Sequence, residues 1–132
     1  MRTSYNMGAD TNEISLEVAA GTVGVAHSAV TQRWTGGSHE VIRESNADSG
    51  NIPKFNAGKA KDLRNSFLVV TTVVDFANIP KQNWEQAAKT LSVNYSLDGG
   101  FSGHQAFAYD SDDVVISQGG KIVVVTKIIE MQ

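Results

Sequence analysis

The chain has 132 residues, enough to bury the core of one ordinary domain without disulfides or a structural metal. Hydrophobic residues make up 41% and charged residues 19% of the sequence, a composition that excludes an intrinsically disordered chain. The net charge of -3 disfavours nucleic acid as a partner, and the lack of cysteine excludes disulfides, thiolate nucleophiles and cysteine-ligated zinc.

The first residues of the sequence do not resemble a secretory signal. Residues 1–8 lack the apolar core of a secretory signal, and no apolar run reaches the roughly 18 residues of a membrane-spanning helix. We expect a soluble protein with no membrane span, and cytoplasmic residence is preferred because no signal peptide is visible. A single domain over residues 1–132 is expected, with residues 1–12 as the candidate for a flexible N-terminus.

The first candidate strands lie between residues 13 and 44. Residues 13–18 alternate between apolar and polar, which predicts a half-buried strand with its apolar residues facing inward. Small and β-branched residues over 22–34 predict a longer strand with a bulge or bend at Gly24. A short strand over 39–44 follows.

Residues 45–61 are rich in Asn, Asp, Gly and Pro, which predicts a long loop. Loops of this length are often functional, so the segment is a candidate binding element. Four cations in and just after it face only Asp62, and an acidic partner or a phosphate could bind there. These candidate partner-binding residues are Lys54, Lys59, Lys61 and Arg64. A solvated basic loop is the alternative.

Residues 66–76 form the strongest strand signal in the chain. β-Branched and aromatic residues occupy both parities, as expected of a strand that is buried on two sides. We expect Leu68, Val70 and Val74 in the core, with Asp75 near the exposed end of the strand.

The segment after this strand contains Trp84 in polar surroundings. Residues 82–89 could form one or two helical turns, which makes Trp84 the best aromatic candidate for contacting a partner or a sugar. Residues 90–97 alternate cleanly and are followed by Asp98-Gly99-Gly100, the clearest hairpin signal in the sequence.

Three short strands are predicted over 105–109, 113–117 and 121–130. Lys121 and Lys127 flank or interrupt the apolar residues of the last one, either as protection of a sheet edge or as solvated side chains. Strands at short intervals without a long helix predict an all-β fold, an antiparallel β-sandwich of about seven to eight strands, Ig-like or jelly-roll-like. A small β-barrel is the alternative.

The acidic turn over 110–113 is the candidate metal site. Its ligands would be Asp110, Asp112 and Asp113, since calcium takes oxygen ligands from closely spaced carboxylates. The EF-hand pattern is absent, so a solvated turn is the alternative. Calcium is the only cofactor that the sequence suggests.

No motif points to catalysis, and we expect that the protein is not an enzyme. The three histidines lack metal-ligand spacing, and the sequence contains neither a Gly-x-Ser-x-Gly elbow nor a nucleotide-binding loop. A hydrolase would require Ser, His and an acid to converge in one pocket.

Three functions remain in order of preference. The first is a non-enzymatic β-sandwich module for protein–protein interaction or self-assembly, with a protein partner or a homo-oligomer. The alternative is a calcium-assisted carbohydrate-binding, lectin-like module, and a hydrolase is the least favoured.

Overall fold

The computed structural model describes residues 3–132, which form two facing β-sheets. The strands are β1 (Thr3–Tyr5), β2 (Glu13–Gly21), β3 (Val25–Trp34), β4 (His39–Glu44), β5 (Ile52–Lys59), β6 (Ser66–Asp75), β7 (Ser92–Asp98), β8 (Gln105–Ala108), β9 (Val114–Ser117) and β10 (Ile122–Met131). Two short helices, α1 (Ala60–Leu63) and α2 (Trp84–Thr90), lie between strands. The predicted β-sandwich is confirmed, and the sheets do not close into a barrel.

One sheet has the strand order β1-β10-β6-β3-β4, with β9 also paired to β10, and the other has the order β5-β2-β7-β8. Within the described residues, every pairing of named strands is antiparallel except that of β1 with β10. The two strands that the sequence did not predict are β1 and β5.

The core lies between the sheets and is built from alternate residues of each strand. The alternating segments of β2 and β7 place their apolar side chains inward, as predicted, because a strand points successive side chains to opposite faces. Buried residues from these two strands are Ile14, Leu16, Val18, Val93, Tyr95 and Leu97.

The β6 strand is the centre of the larger sheet, between β10 and β3. Leu68, Val70 and Val74 are buried, as predicted. The expectation of burial on both sides is wrong, because the other face of β6 is not covered and Val73 is exposed. The apolar residues at alternate positions of β6 therefore form one buried face, and those at the intervening positions form an open apolar face.

The prediction of a loop over 45–61 is wrong for its second half, where the structure has β5 and the start of α1. This strand is an edge strand, and its pairing with β2 is interrupted by two irregularities in register. Pro53 is tolerated because an edge strand has a free side, and Gly58 supplies a φ of 142°. The sequence did not predict β5 because its pairing is irregular and it contains residues that are also common in turns.

Residues 1–12 are the segment that the sequence suggests as a flexible N-terminus. Residues 1 and 2 lie outside the described residues, and residues from the rest of the segment contribute to the core. Tyr5 and Met7 are buried, and the Tyr5 hydroxyl donates to the Gly103 carbonyl at 2.6 Å and accepts from the Gly100 amide at 2.9 Å. Across residues 3–132, no helix has the length and apolar character needed to cross a membrane.

Candidate functional site

The six-stranded sheet has an uncovered face that we call the outer face. It is formed by the side chains of β9, β10, β6, β3 and β4 that point away from the core, and its central positions carry no charge. These positions are Ala29, Thr31, Val41, Val69, Thr71, Val73, Val115, Val124, Thr126 and Ile128. The uncovered face of an antiparallel sandwich is ordinarily polar, so this composition is unusual.

The register of the strands brings these residues into rows across the outer face. Thr126, Thr71 and Ala29 form the central row, on β10, β6 and β3 respectively. Val41 and Val115 lie at opposite margins and are 53% and 62% exposed. The face is therefore continuous across the whole width of the sheet.

Charged side chains surround the centre of the outer face, at its two ends and on the β4 side. At one end, Glu130 and Arg33 are both in register with Phe67, and the Arg33 guanidinium lies 5.6 Å from the centre of the Phe67 ring. At the other end lies Asp75, and His27 and Glu44 lie on the β3 and β4 side, where Glu44 is in register with Ala29 at the margin of the sheet. An uncharged centre inside a charged margin is the usual composition of a protein interface.

Trp84 lines a separate groove of about 860 Å³ between α2 and the β9–β10 connection. Its indole N–H donates to the carbonyls of Phe76 and Ile79 at 3.0 and 3.1 Å, which fixes the ring at the margin of the core. Ile116 lines the same groove. Trp84 is thus a structural anchor with one accessible side, and its role in contacting a partner stays a prediction.

Two of the four predicted basic residues make local polar contacts. Lys54 lies 3.6 Å from the Asp98 carboxylate, and Arg64 donates to the Gly8 carbonyl at 2.7 Å and to Asp10 at 3.0 Å. Lys59 is the last residue of β5, and Lys61 is in α1. Lys54 and Arg64 are therefore engaged within the chain, and the role of the four cations in binding a partner stays a prediction.

Lys54 contributes to a small electrostatic cluster around Asp98. The ring of His104 hydrogen-bonds the Asp98 carboxylate at 2.9 Å, and this bond lowers the pKa of Asp98 below its usual value, with Lys54 adding to the effect. The cluster is exposed, so it holds the end of the β7–β8 hairpin only weakly.

Asp110 and Asp113, two of the three predicted metal ligands, lie beside the ammonium group of Lys127. The Lys127 Nζ is 2.9 Å from Asp110 Oδ2 and 3.5 Å from Asp113 Oδ2, and the Lys127 side chain is only 2% exposed. The expectation that Lys127 is solvated or guards a sheet edge is wrong, because β10 points this residue into the core. A calcium ion at these carboxylates would have to displace a buried ammonium.

Asp112 lies on the same turn and is exposed. Among residues 3–132, no cluster of three or more His, Asp or Glu side chains is arranged to hold a metal ion. The calcium site stays a prediction, and comparing the melting temperature in calcium with that in a chelator tests it.

Tyr95 introduces a buried hydroxyl close to this acidic turn. Burial raises the pKa of Tyr95, with the charge of Asp113 adding to the increase. Its hydroxyl has no hydrogen-bond partner within the described part of the chain. A buried hydroxyl in this state destabilises the fold, because it has lost its contacts with water.

A Ser–His–Glu arrangement lies on the β3 and β4 side of the outer face. His27 Nδ1 is 3.4 Å from Ser45 Oγ, and His27 Nε2 is 3.3 Å from Glu44 Oε1. The amide of Ser28 donates to Ser45 Oγ at 3.0 Å, which leaves the hydroxyl proton of Ser45 for the imidazole. A pocket of about 240 Å³ is lined by Ser45 and His27.

The sequence did not predict this arrangement, because its residues come from two strands and a following loop. The signal that could have found it is the pairing of β3 with β4, which brings residues 27 and 44 close together. No protein-family model, curated protein or solved structure matched the chain.

Proposed function

We propose that the protein is a non-enzymatic β-sandwich module for protein–protein interaction or self-assembly, and that the outer face is its binding surface. The observation that carries this proposal is the uncharged centre of Val, Ile, Thr and Ala residues within a charged margin. Covering these side chains removes apolar area from water without burying an unpaired charge.

The rigidity of β6 supports the same assignment. Its register with both neighbours continues over ten residues without a bulge, so the outer face is presented by a regular backbone. A surface that is ordered before binding loses little conformational freedom when the partner arrives.

The experiment measures binding of the apolar dye anilinonaphthalene sulfonate to dilute protein, together with sedimentation velocity. The wild-type protein is expected to bind the dye, and Thr71→Lys, which places a cation at the centre of the outer face, is expected to reduce that binding strongly. Glu17→Lys, a charge change on the exposed side of β2 in the other sheet, is the control. Two results together would overturn the proposal. The wild-type protein would be monomeric at every concentration, and Thr71→Lys would not reduce its dye binding.

A second candidate function is a hydrolase, favoured by the contacts of Ser45, His27 and Glu44. In this function His27 Nδ1 would take the proton of Ser45 as the hydroxyl oxygen attacks an ester carbonyl carbon, and would return that proton to the leaving alcohol as the acyl–oxygen bond breaks. Water would then release the acid from the acyl-serine and restore the hydroxyl, while Glu44 would orient the ring through Nε2. The small volume of the pocket suits a short acyl group. The test is hydrolysis of p-nitrophenyl acetate, with Ser45→Ala as the comparison; equal rates for both proteins exclude Ser45 as a nucleophile.

A further inference from the structure

The charged end of the outer face is complementary to a copy of itself. Glu130 of β10 and Arg33 of β3 both lie in register with Phe67 of β6, one on each side. Consider a second copy that faces the first and is related to it by a twofold axis along β6. The axis places β10 of each copy opposite β3 of the other. Glu130 of each copy then lies opposite Arg33 of the other, so two symmetric ion pairs can form.

We propose that the outer face binds a second copy of this chain, face to face, about a twofold axis that runs along β6. This inference rests on the proposed function of the outer face and specifies its partner. In the dimer, β6 packs on β6, and β10 of one copy packs on β3 of the other.

The central row satisfies the same symmetry. Exchange of the two sides places Thr126 of one copy opposite Ala29 of the other, while Thr71 lies near the axis. These residues are small and uncharged, so the two sheets can approach to the roughly 10 Å separation of a packed sandwich. No like charges meet at the centre of the interface.

The size of the outer face is suitable for a dimer. Strand residues spaced by ~3.3 Å, in strands that are ~4.8 Å apart, give this sheet an area of about 700 Å². Stable interfaces bury about 800 Å² from each partner, with a spread of roughly 200 Å². The face is therefore large enough for a specific dimer without contributions from loops.

The opposite end of β6 brings the Asp75 residues of the two copies toward each other. A twofold axis along β6 keeps the two β6 strands parallel, so this like-charge contact opposes the dimer. Each Asp75 carboxylate accepts the amide of Ala77 in its own chain at 2.8 Å, which holds the short side chain against its own backbone. Two ion pairs form at the Phe67 end against one like-charge contact at the Asp75 end, so attraction exceeds repulsion.

The experiment is a charge exchange followed by sedimentation velocity over a range of protein concentrations. Arg33→Glu is expected to weaken dimerisation by at least about tenfold, because the carboxylate introduced in each copy then lies opposite Glu130 of the other. Glu130→Arg is expected to do the same. The double variant R33E/E130R restores opposite charges in this geometry and is expected to return to within about threefold of the wild-type dissociation constant.

Glu17→Lys, on the exposed side of β2 in the other sheet, is the matched control, and circular dichroism verifies that each variant is folded. A double variant no tighter than the single variants would overturn the proposed axis. A wild-type protein that stays monomeric while still binding dye at the outer face would overturn the dimer, yet it would leave the proposed function with another protein as partner. The absence of both dimer and dye binding would overturn both proposals.

Discussion

The buried contact of Lys127 gives the sharpest test of the fold. The Lys127 side chain is 2% exposed, whereas those of Asp113 and Asp110 are 10% and 42% exposed. The perturbation is the double change Asp110→Asn and Asp113→Asn, which removes both negative charges while keeping the shape and hydrogen-bonding oxygens of the turn. Lys127 is then left as a buried ammonium without an opposite charge.

The expected loss in the free energy of unfolding is about 3–5 kcal/mol for the double variant. This is the usual cost of removing one side of a buried ion pair and leaving the other charge without compensation. Each single variant retains one carboxylate and should lose roughly 1–2 kcal/mol. The Asp110 contact is the nearer one, but solvent screens it because this side chain is partly exposed. A loss of this size is a large fraction of the roughly 5–15 kcal/mol that stabilises a domain.

Urea denaturation near neutral pH measures these differences, with Lys127→Met added to the double variant as the matched control. Methionine fills similar space without charge, so the triple variant should regain about 2 kcal/mol or more. A double variant within about 1 kcal/mol of wild type would show that the Lys127 ammonium reaches water and is not a buried charge. Failure of Lys127→Met to recover stability would likewise show that the lost stability does not come from an unpaired ammonium.

Further substitutions test other contacts in the core and at the hairpin. Tyr95→Phe should be neutral or stabilising by up to about 1 kcal/mol, because it removes an unpaired buried hydroxyl, whereas Tyr5→Phe should cost about 1–2 kcal/mol by breaking two hydrogen bonds; thermal unfolding of the pair compares them. Gly99→Ala should lower stability by more than about 1 kcal/mol, because φ is 98° and the added Cβ meets a backbone carbonyl of β2; an unchanged urea midpoint would contradict this. The depressed pKa of Asp98 means that its stabilising contribution is present above the ordinary value of 3.8 and is lost as the pH falls through the lower folded value. In an NMR titration the Asp98 midpoint should lie below 3.8, and His104→Ala should move it back toward that value.

The strands whose alternation is regular could be predicted from the sequence, and the irregular ones could not. β2 and β7 show a single apolar parity and were placed with the correct face inward. β5 was missed because it is an edge strand, and its Pro53 and Gly58 are residues that turns also favour. Edge strands tolerate such residues because only one side of the backbone has to pair.

The candidate site was harder to predict because it depends on which face of each strand is covered. Apolar residues on both parities of β6 are compatible with two buried faces or with one buried and one open face. Only the arrangement of the sheets distinguishes these cases. The convergence of Ser45 with His27 likewise depends on the pairing of β3 with β4, which residue spacing alone does not specify.

The β10 strand connects the buried charge to the open apolar face. Lys127 points inward, while Thr126 and Ile128 point outward, the reverse of an ordinary half-exposed strand. A slip of one residue would exchange the two faces and would bring Lys127 to solvent. The ion pairs of Lys127 with Asp110 and Asp113 oppose this slip, because they form only when the ammonium lies inside.

The ion pairs of Lys127 therefore bear on binding as well as on stability. Holding β10 in this register keeps Val124 and Ile128 on the outer face, where a second copy would cover them. In the double variant with Asp110→Asn and Asp113→Asn, Lys127 keeps its charge but has lost both ion pairs, so we expect the slipped register, which brings its ammonium to water, to be less strongly opposed. Hydrogen exchange at β10 should then be faster relative to β3 than in wild type, because the slipped register becomes accessible. Equal protection of β10 in the two proteins would show instead that the buried apolar residues of β10 hold the register through packing alone.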